Sequence, residues 1–309
     1  MGFLNIPARR EFLFKIIEII WNYLLARLKD MRYNAENSVA GRPQKELTKA
    51  MRIVIKVGTS TLAHATGRLN IRLVETLIKV LSDLKNAGQE IILVSSGAIG
   101  MGAGKLLLPH RPEDMPTRQA AAAVGQCELM YVYDRQFTAY NHTVAQILLT
   151  AEDLEDEERR RNFENTVFRL LELKALPILN ENDTVATEEI AFGDNDTLAA
   201  RVAKYVEADL LILLSDIDGL FTADPHTHAE AALIPVVKAI TPEIEVLAGG
   251  SGSSLGTGGM TTKLRAAKIA TSAGVDMVIA NGARPEQLYD IVDGAAVGTR
   301  FLAAGRDDI

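Results

Sequence analysis

The 309-residue chain sets 33 Lys and Arg against 40 Asp and Glu, a formal net charge of −7, so it lacks the cationic excess of a general phosphate-backbone binder and nucleic acid is excluded as a partner class. Its 48% hydrophobic and 6% aromatic content suffices for a large aliphatic core and excludes a disordered chain. One cysteine, Cys127, and five histidines without a His-x-x-x-His or Glu-x-x-His pair leave no disulfide and no visible transition-metal ligand set; a reducing compartment, the cytoplasm, is the expected location.

Residues 1–50 read as an N-terminal extension. Within EFLFKIIEIIWNYLLARLKD the polar Glu11, Lys15, Glu18 and Asn22 fall four, three and four apart, one narrow polar stripe on a helix. Its charges disfavour a bilayer span, and it lacks the small-residue cleavage site of a signal peptide. A docked or dimerising helix is the favoured reading, and membrane-surface contact of residues 11–28 is the weaker one. A third is that Met51 is the natural start and the catalytic unit spans residues 51–309.

From Met51 onward, short β-branched runs alternate with amphipathic helical windows, which predicts an α/β fold with a largely parallel sheet. The strand candidates are RIVIKV, EIILVS, HTVAQILL, LPILN, DLLILLS, LIPVV and VDMVIA. Among the helices, NIRLVETLIKVLSDLKNAG has Asn70 as its starting cap and Gly88 at its end. AEDLEDEERRRNFENTVFRLLELKA reads as the longest helix, its charge run on a solvated side.

Ligands of open α/β sheets sit beyond the carboxyl ends of the strands, so the exit loops carry the chemistry. IKVGTSTL places Lys56 on a strand with Gly58 at its exit, and VSSGAIGMGAG ends a strand at Ser95, Ser96 and Gly97. Either is an anion-approaching loop or a tight strand-to-helix turn. GGSGSSLGTGGMTTKLRAAKIATSAG opens directly onto a helix with Lys263 in its first turns, which suits a phosphate better than a flexible linker. It has neither P-loop order nor dinucleotide spacing. LLILLSDIDGLFTADP fails as an EF-hand loop, because positions one and twelve would be Leu214 and Pro225. The clusters Asn180-Glu181-Asn182-Asp183 and Asp194-Asn195-Asp196 leave three readings open: a metal site, helix caps or an amino-acid cradle.

Taken in order, IKVGTS, VSSGAI, LNENDTVAT, FGDND, SDIDGLFTADP and GTGGMTTK resemble the amino acid kinase family, and within it the branch that phosphorylates the side-chain carboxylate of glutamate on the path to proline. The resemblance runs from Met51 to about Leu302. It implies an open, mainly parallel sheet sandwiched between helices, with ATP and L-glutamate as substrates and Mg2+ arriving on the nucleotide. Lys56, Lys263 and Asp196 would be catalytic, with Asp196 holding the two lysines. Ser96, Asp183 and Asn195 would bind glutamate, with Ser96 and Asn195 toward carboxylate oxygens and Asp183 toward the ammonium. Lys56, Gly58, Ser215, Asp216, Thr257, Gly258, Gly259, Met260, Thr261, Thr262 and Lys263 would contact ATP. Asp194 either caps the following helix or touches substrate.

The family further implies a homo-oligomer and feedback inhibition by proline, and no protein-held metal is expected. Many members append a small RNA-binding-like domain, for which the sequence leaves no room after Ile309, while residues 1–50 precede the usual family start. Competing readings are a kinase of the same fold acting on acetylglutamate or aspartate, and a non-catalytic amino-acid sensor.

Overall fold

The computed structural model describes residues 50–64, 68–185, 195–225, 227–228, 230–248 and 259–304, within a unit Ala50–Ile309. The expectations for residues 11–28, Asp194, Thr257 and Gly258 lie outside the described residues. Strands β1 (Arg52–Val57), β2 (Glu90–Ser95), β3 (Val144–Leu149), β4 (Leu176–Glu181), β5 (Leu210–Ser215), β6 (Val236–Val237), β7 (Asp276–Asn281) and β8 (Thr299–Phe301) form one eight-stranded sheet in the order β3-β4-β2-β1-β5-β7-β8-β6. Every pairing is parallel except β7 with β8.

The central strands read as unbroken apolar runs because both faces of the sheet are covered. Ile53, Ile55 and Val57 of β1 pack into one core with Ile91 and Leu93 of β2. The intervening Val54, Ile92 and Val94 pack into the other, as the two-residue period of a strand requires. The first core is covered by α2 (Ile71–Asn86), α4 (Met115–Thr138) and α10 (Gln287–Val292). The second is covered by α6 (Glu157–Glu172), α7 (Asn195–Tyr205) and α9 (Met260–Ser272). The shorter helices are α1 (Thr59–Leu62), α3 (Ala98–Lys105), α5 (Ala151–Glu155) and α8 (Pro242–Ala248).

Local chemistry sets the ends of the helices. The Asn70 side chain accepts from Leu73 N–H at 3.3 Å to start α2, and Gly88, with φ +98°, follows its end in the left-handed region. The stretch expected to be the longest helix is instead two, α5 and α6. Asp156 has an extended backbone (φ −71°, ψ 127°) and its side chain accepts from Arg159 N–H at 2.8 Å, so it ends one helix and caps the next. Thr150 and Asp153 form a reciprocal capping box at the start of α5. The longest helix among the described residues is α4, with 24 residues.

The LIPVV strand shrinks to Val236–Val237, because Leu233 and Ile234 pair instead with the Leu220–Phe221 loop. Its partner β8, three residues long, is too short to show a periodicity. Helices α3 and α4 cross with their backbones in contact. A Cβ at Gly102 would run into the Ala121 carbonyl, and one at Gly125 into the Ala98 carbonyl. That crossing fixes α4 beside the loop that leaves β2. Among the described residues no helix is long and apolar enough to cross a membrane.

Candidate active site

Strand parity decides where Lys56 goes. It shares the sheet face of Val54, the face covered by α7 and α9. The first turn of α7 supplies Asp196 there, and the first turns of α9 supply Lys263. Asp196 Oδ1 lies 2.7 Å from Lys56 Nζ, a close ionic contact, while Lys263 Nζ donates to Asp196 Oδ2 at 3.2 Å. The Thr262 hydroxyl is shared between Asp196 Oδ2 at 3.0 Å and the Gly259 carbonyl at 2.8 Å.

This is a buried triad, with side-chain exposures of 12% for Lys56, 5% for Lys263 and 2% for Asp196. Burial alone would raise the Asp196 pKa, but the two ammonium groups more than reverse it and hold the carboxyl at about 2. The cluster therefore carries two positive charges against one negative at the carboxyl ends of the strands. Such a surplus is poor structural glue, because desolvating three charges costs more than their pairing returns. It is well suited to receiving anions.

Among the described residues, the other expected nucleotide contacts lie at neighbouring strand and helix ends. Gly58 follows β1, and a Cβ there would sit 3.5 Å from Lys56 Nζ. Ser215 ends β5, the neighbour of β1, and its hydroxyl donates to Asp216 at 3.0 Å. Gly259 caps α9, and Met260, Thr261 and Thr262 form its first turn, in which the Thr262 N–H donates to the Gly259 carbonyl at 3.2 Å and the N–H groups that open a helix suit an anion.

Next to the triad lies a cradle of amides. Asn195 and Asp196 are consecutive in α7, so their side chains diverge by roughly 100°; Asp196 reaches the lysines while Asn195 reaches the loop after β2. Asn195 Nδ2 donates to Ser96 Oγ at 2.8 Å and to Asn180 Oδ1 at 3.0 Å. Its Oδ1 is buried, with no hydrogen-bond partner among the described residues. Sequence reasoning assigned Asn195 to a carboxylate; in this structure its two amide hydrogens are engaged by Ser96 and Asn180.

Ser96 N–H donates to the Val57 carbonyl at 3.0 Å, tying this loop to β1. Gly97, with φ +104°, makes the turn into α3 that a side chain would strain. Beneath it Ser95 Oγ and Tyr133 Oη are 2.8 Å apart, and burial pushes the Tyr133 phenol well up despite that bond. Asp183 stands in the turn after β4. Burial raises its carboxyl to about 6, with Arg118 pulling the other way.

Sequence reasoning missed Asn180, Gln126, Tyr133 and Arg118. Asn180 Nδ2 donates to Gln126 Oε1 at 2.9 Å. Gln126 carries a readable signal, since it interrupts the buried face of α4 that includes Ala122, Leu129 and Tyr133. Asn182 accepts from the Thr184 hydroxyl at 2.6 Å and so shapes the corner locally.

The model of the amino acid kinase family matches residues 51–281. A glutamate 5-kinase of Clostridium perfringens is 52% identical over 264 residues, covering 84% of this chain and 98% of that protein. The Clostridium tetani glutamate 5-kinase is 54% identical over 261 residues, with 84% and 98% covered. The Moorella thermoacetica glutamate 5-kinase is 54% identical over 256 residues, with 83% and 68% covered. Among solved structures, a carbamate kinase from Giardia lamblia bound to AMP-PNP superposes with a TM-score of 0.59 at 17% identity, covering 82% of this chain and 99% of its own. An isopentenyl phosphate kinase from T. acidophilum gives a TM-score of 0.54 at 17% identity, with 82% and 100% covered; both likenesses concern the fold. The ordered exit loops, the parallel sheet and this match over most of the chain lead to one conclusion: the chain belongs to the amino acid kinase family.

Proposed function

We propose that the chain transfers the γ-phosphoryl group of ATP to the side-chain carboxylate of L-glutamate, giving L-glutamyl 5-phosphate, the first step of proline biosynthesis. The observation that carries this is the junction in α7, where Asn195 enters the amide cradle and Asp196 the lysine pair. The glutamate 5-kinases at 52–54% identity select the acceptor among those the fold serves.

A glutamate carboxylate oxygen attacks phosphorus, the bond to the β,γ-bridging oxygen breaks, and ADP leaves. The nucleophile is already ionised near neutral pH, so no general base is required. What the protein must supply is positive charge where the phosphoryl oxygens spread theirs. Lys56 and Lys263 provide it, with backbone N–H groups of Gly58 and Gly97 as neutral donors. Asp196, ionised and shared by both lysines, is a positioning group and not a base. Ser215, Asp216 and the segment Thr257 to Lys263 take the nucleotide.

Among the described residues no three acidic, imidazole or thiol groups converge. By the family resemblance, Mg2+ would be held by phosphate oxygens and water, neutralising phosphate charge. Cytoplasmic location, homo-oligomer formation and proline feedback extend the same proposal from the family resemblance.

The test is ATP turnover by the full chain with glutamate, aspartate, acetylglutamate or no acceptor, with hydroxylamine trapping the acyl phosphate. Hydroxamate is expected from glutamate alone. Formation only from another acid, or from none, sinks the assignment.

Asp183 gives a second expected result. Its carboxylate suits the substrate ammonium only when ionised, so kcat/KM for glutamate should fall about tenfold per pH unit below about 6. The raised pKa also has a stability sign. Between the ordinary 3.8 and about 6 the folded state holds a proton that the unfolded state has lost, so stability falls through that window as pH rises. Asp183→Asn should raise the KM for glutamate about 100-fold and flatten the acid limb. It should also stabilise the ligand-free protein at pH 7.5 by on the order of 2 kcal/mol, allowing for partial exposure. Denaturant unfolding and initial rates across pH check both, and an unchanged acid limb removes Asp183 from the role.

A further inference from the structure

A buried hydroxyl can settle which way a neighbouring peptide faces, because it carries one hydrogen and spends it on one acceptor. Ser95, the last residue of β2, is fully buried, and its Oγ lies 2.8 Å from Tyr133 Oη and 3.1 Å from the Ser96 carbonyl oxygen. Tyr133 is fully buried too, and among the described residues its hydroxyl meets no hydrogen-bonding group other than Ser95 Oγ. A buried O–H without an acceptor is costly, so the phenol donates to Ser95. Burial, which pushes the phenol up, keeps that hydrogen in place. The Ser95 hydrogen is thereby committed to the Ser96 carbonyl.

Parity puts this exchange on one side of the sheet. Val94 packs in the core under α7 and α9, so Ser95 shares the opposite face with Ile91 and Leu93, where α4 brings Tyr133. The Ser96 carbonyl is therefore drawn toward α4. No peptide bond among the described residues is cis, so the Gly97 N–H points opposite to that carbonyl, toward the face that holds Lys56, Asp196 and Lys263. On that side Asn195 Nδ2 of α7 donates to Ser96 Oγ at 2.8 Å. Gly97 is partly exposed, and its N–H has no backbone acceptor among the described residues.

Building on the glutamate kinase reading, we propose that Ser95 is a positioning residue: by holding the Ser96 carbonyl toward α4 it keeps the Gly97 N–H aimed at the transferring phosphoryl group. The flanks of this peptide are tied elsewhere, the Ser96 N–H to the Val57 carbonyl at 3.0 Å and the Gly97 carbonyl to the Met101 N–H at 2.9 Å. Its plane is not. Turning it over changes only ψ of Ser96 and φ of Gly97, and a glycine accepts either sign of φ. No backbone N–H among the described residues reaches the Ser96 carbonyl, so the serine hydroxyl decides between the two orientations. Tyr133, as a donor, leaves the serine hydrogen uncontested.

The test compares Ser95→Ala with the double variant Ser95→Ala/Tyr133→Phe in the full chain. The single variant releases the Ser96 carbonyl and strands the buried phenol, so kcat for hydroxamate formation from glutamate should fall about tenfold or more and the thermal midpoint by about 3 °C or more. The KM values for glutamate and ATP should stay within about threefold, because the N–H meets charge that develops only during transfer. The double variant removes both hydroxyls, so its midpoint should return to within about 1 °C of the parent while kcat stays low. A hydroxyl pair that served stability alone would restore both together. The proposal is overturned if kcat of Ser95→Ala stays within about threefold of the parent, if kcat recovers with stability in the double variant, or if the glutamate KM rises in proportion to the fall in kcat. Should the single variant not fold, the double variant decides by the same limits on kcat and KM. A parent chain that forms no hydroxamate from glutamate fails the underlying function instead, and the proposal falls with it.

Discussion

Asp196→Asn is expected to lower kcat by a thousandfold or more and to destabilise the fold by about 3–5 kcal/mol. The side chain is 2% exposed, between ammonium groups 2.7 and 3.2 Å away. The amide keeps the shape and removes the charge, so the cluster changes from one net positive charge to two. The lysines then repel each other in a desolvated site and lose the geometry that converges them on the phosphoryl group. The KM for ATP should not rise, because the freed ammoniums still attract phosphates.

Acid titration offers an independent reading. A carboxyl held at about 2 against an ordinary 3.8 contributes stability that is present above the higher value and lost as pH falls through the lower one. Parent stability should therefore decline between about pH 4 and 2 more steeply than that of the variant. Chemical denaturation and steady-state kinetics measure all three effects, and a kcat within tenfold of the parent would discard the positioning role.

Lys56→Ala and Lys263→Ala should each lower kcat by about 100- to 1000-fold, since each removes one of the charges facing the developing phosphoryl charge. Their stability costs should be smaller than that of Asp196→Asn. Either lysine variant leaves Asp196 paired with the remaining ammonium and the cluster neutral, whereas the aspartate variant leaves two cations unopposed. The double variant should lose less than the product of the singles, because the lysines act on one group through one shared carboxylate. Single-turnover rates check this, and a kcat within a few-fold for either lysine variant would defeat the mechanism.

These two results depend on proximity that linear order does not contain. Lys56, Asp196 and Lys263 could be named from their motifs, and the family resemblance gave Asp196 the part of holding both lysines, but the geometry of that pairing could not be read there. That pairing follows from three helix and strand ends meeting at one edge of the sheet. Asn180 sat in view within the Asn-Glu-Asn-Asp cluster, yet its partner Gln126 lies 54 positions away on another element. The polar interruption in the apolar face of α4 was visible, but what it faced was not. Asn195 was named from its motif, but that Ser96 and Asn180 accept its amide hydrogens shows only once those neighbours have been placed.

Local chemistry explains the remaining contrasts. The parallel strands β1, β2, β4, β5 and β7 were legible as apolar runs, since burial on both faces demands apolar side chains along the strand interior, with polar ones such as Lys56, Asn180 and Ser215 kept toward the ends. The break at Asp156 was hidden because its two sides share one charge pattern and differ by a single ψ angle. Strand β8 was hidden because three residues hold too little pattern to outweigh a loop.

By itself, then, the amino-acid sequence determined the fold class, the family and the identities of the triad, because apolar periodicity and glycine-bearing exit loops are short-range signals. Only the tertiary structure decided the distances and burial of that triad, that Asn195 donates to both Ser96 and Asn180, and that Gln126 stands behind Asn180. Charge coupling and hydrogen-bond polarity are properties of groups a few ångströms apart in space, and sequence separation carries no record of that distance.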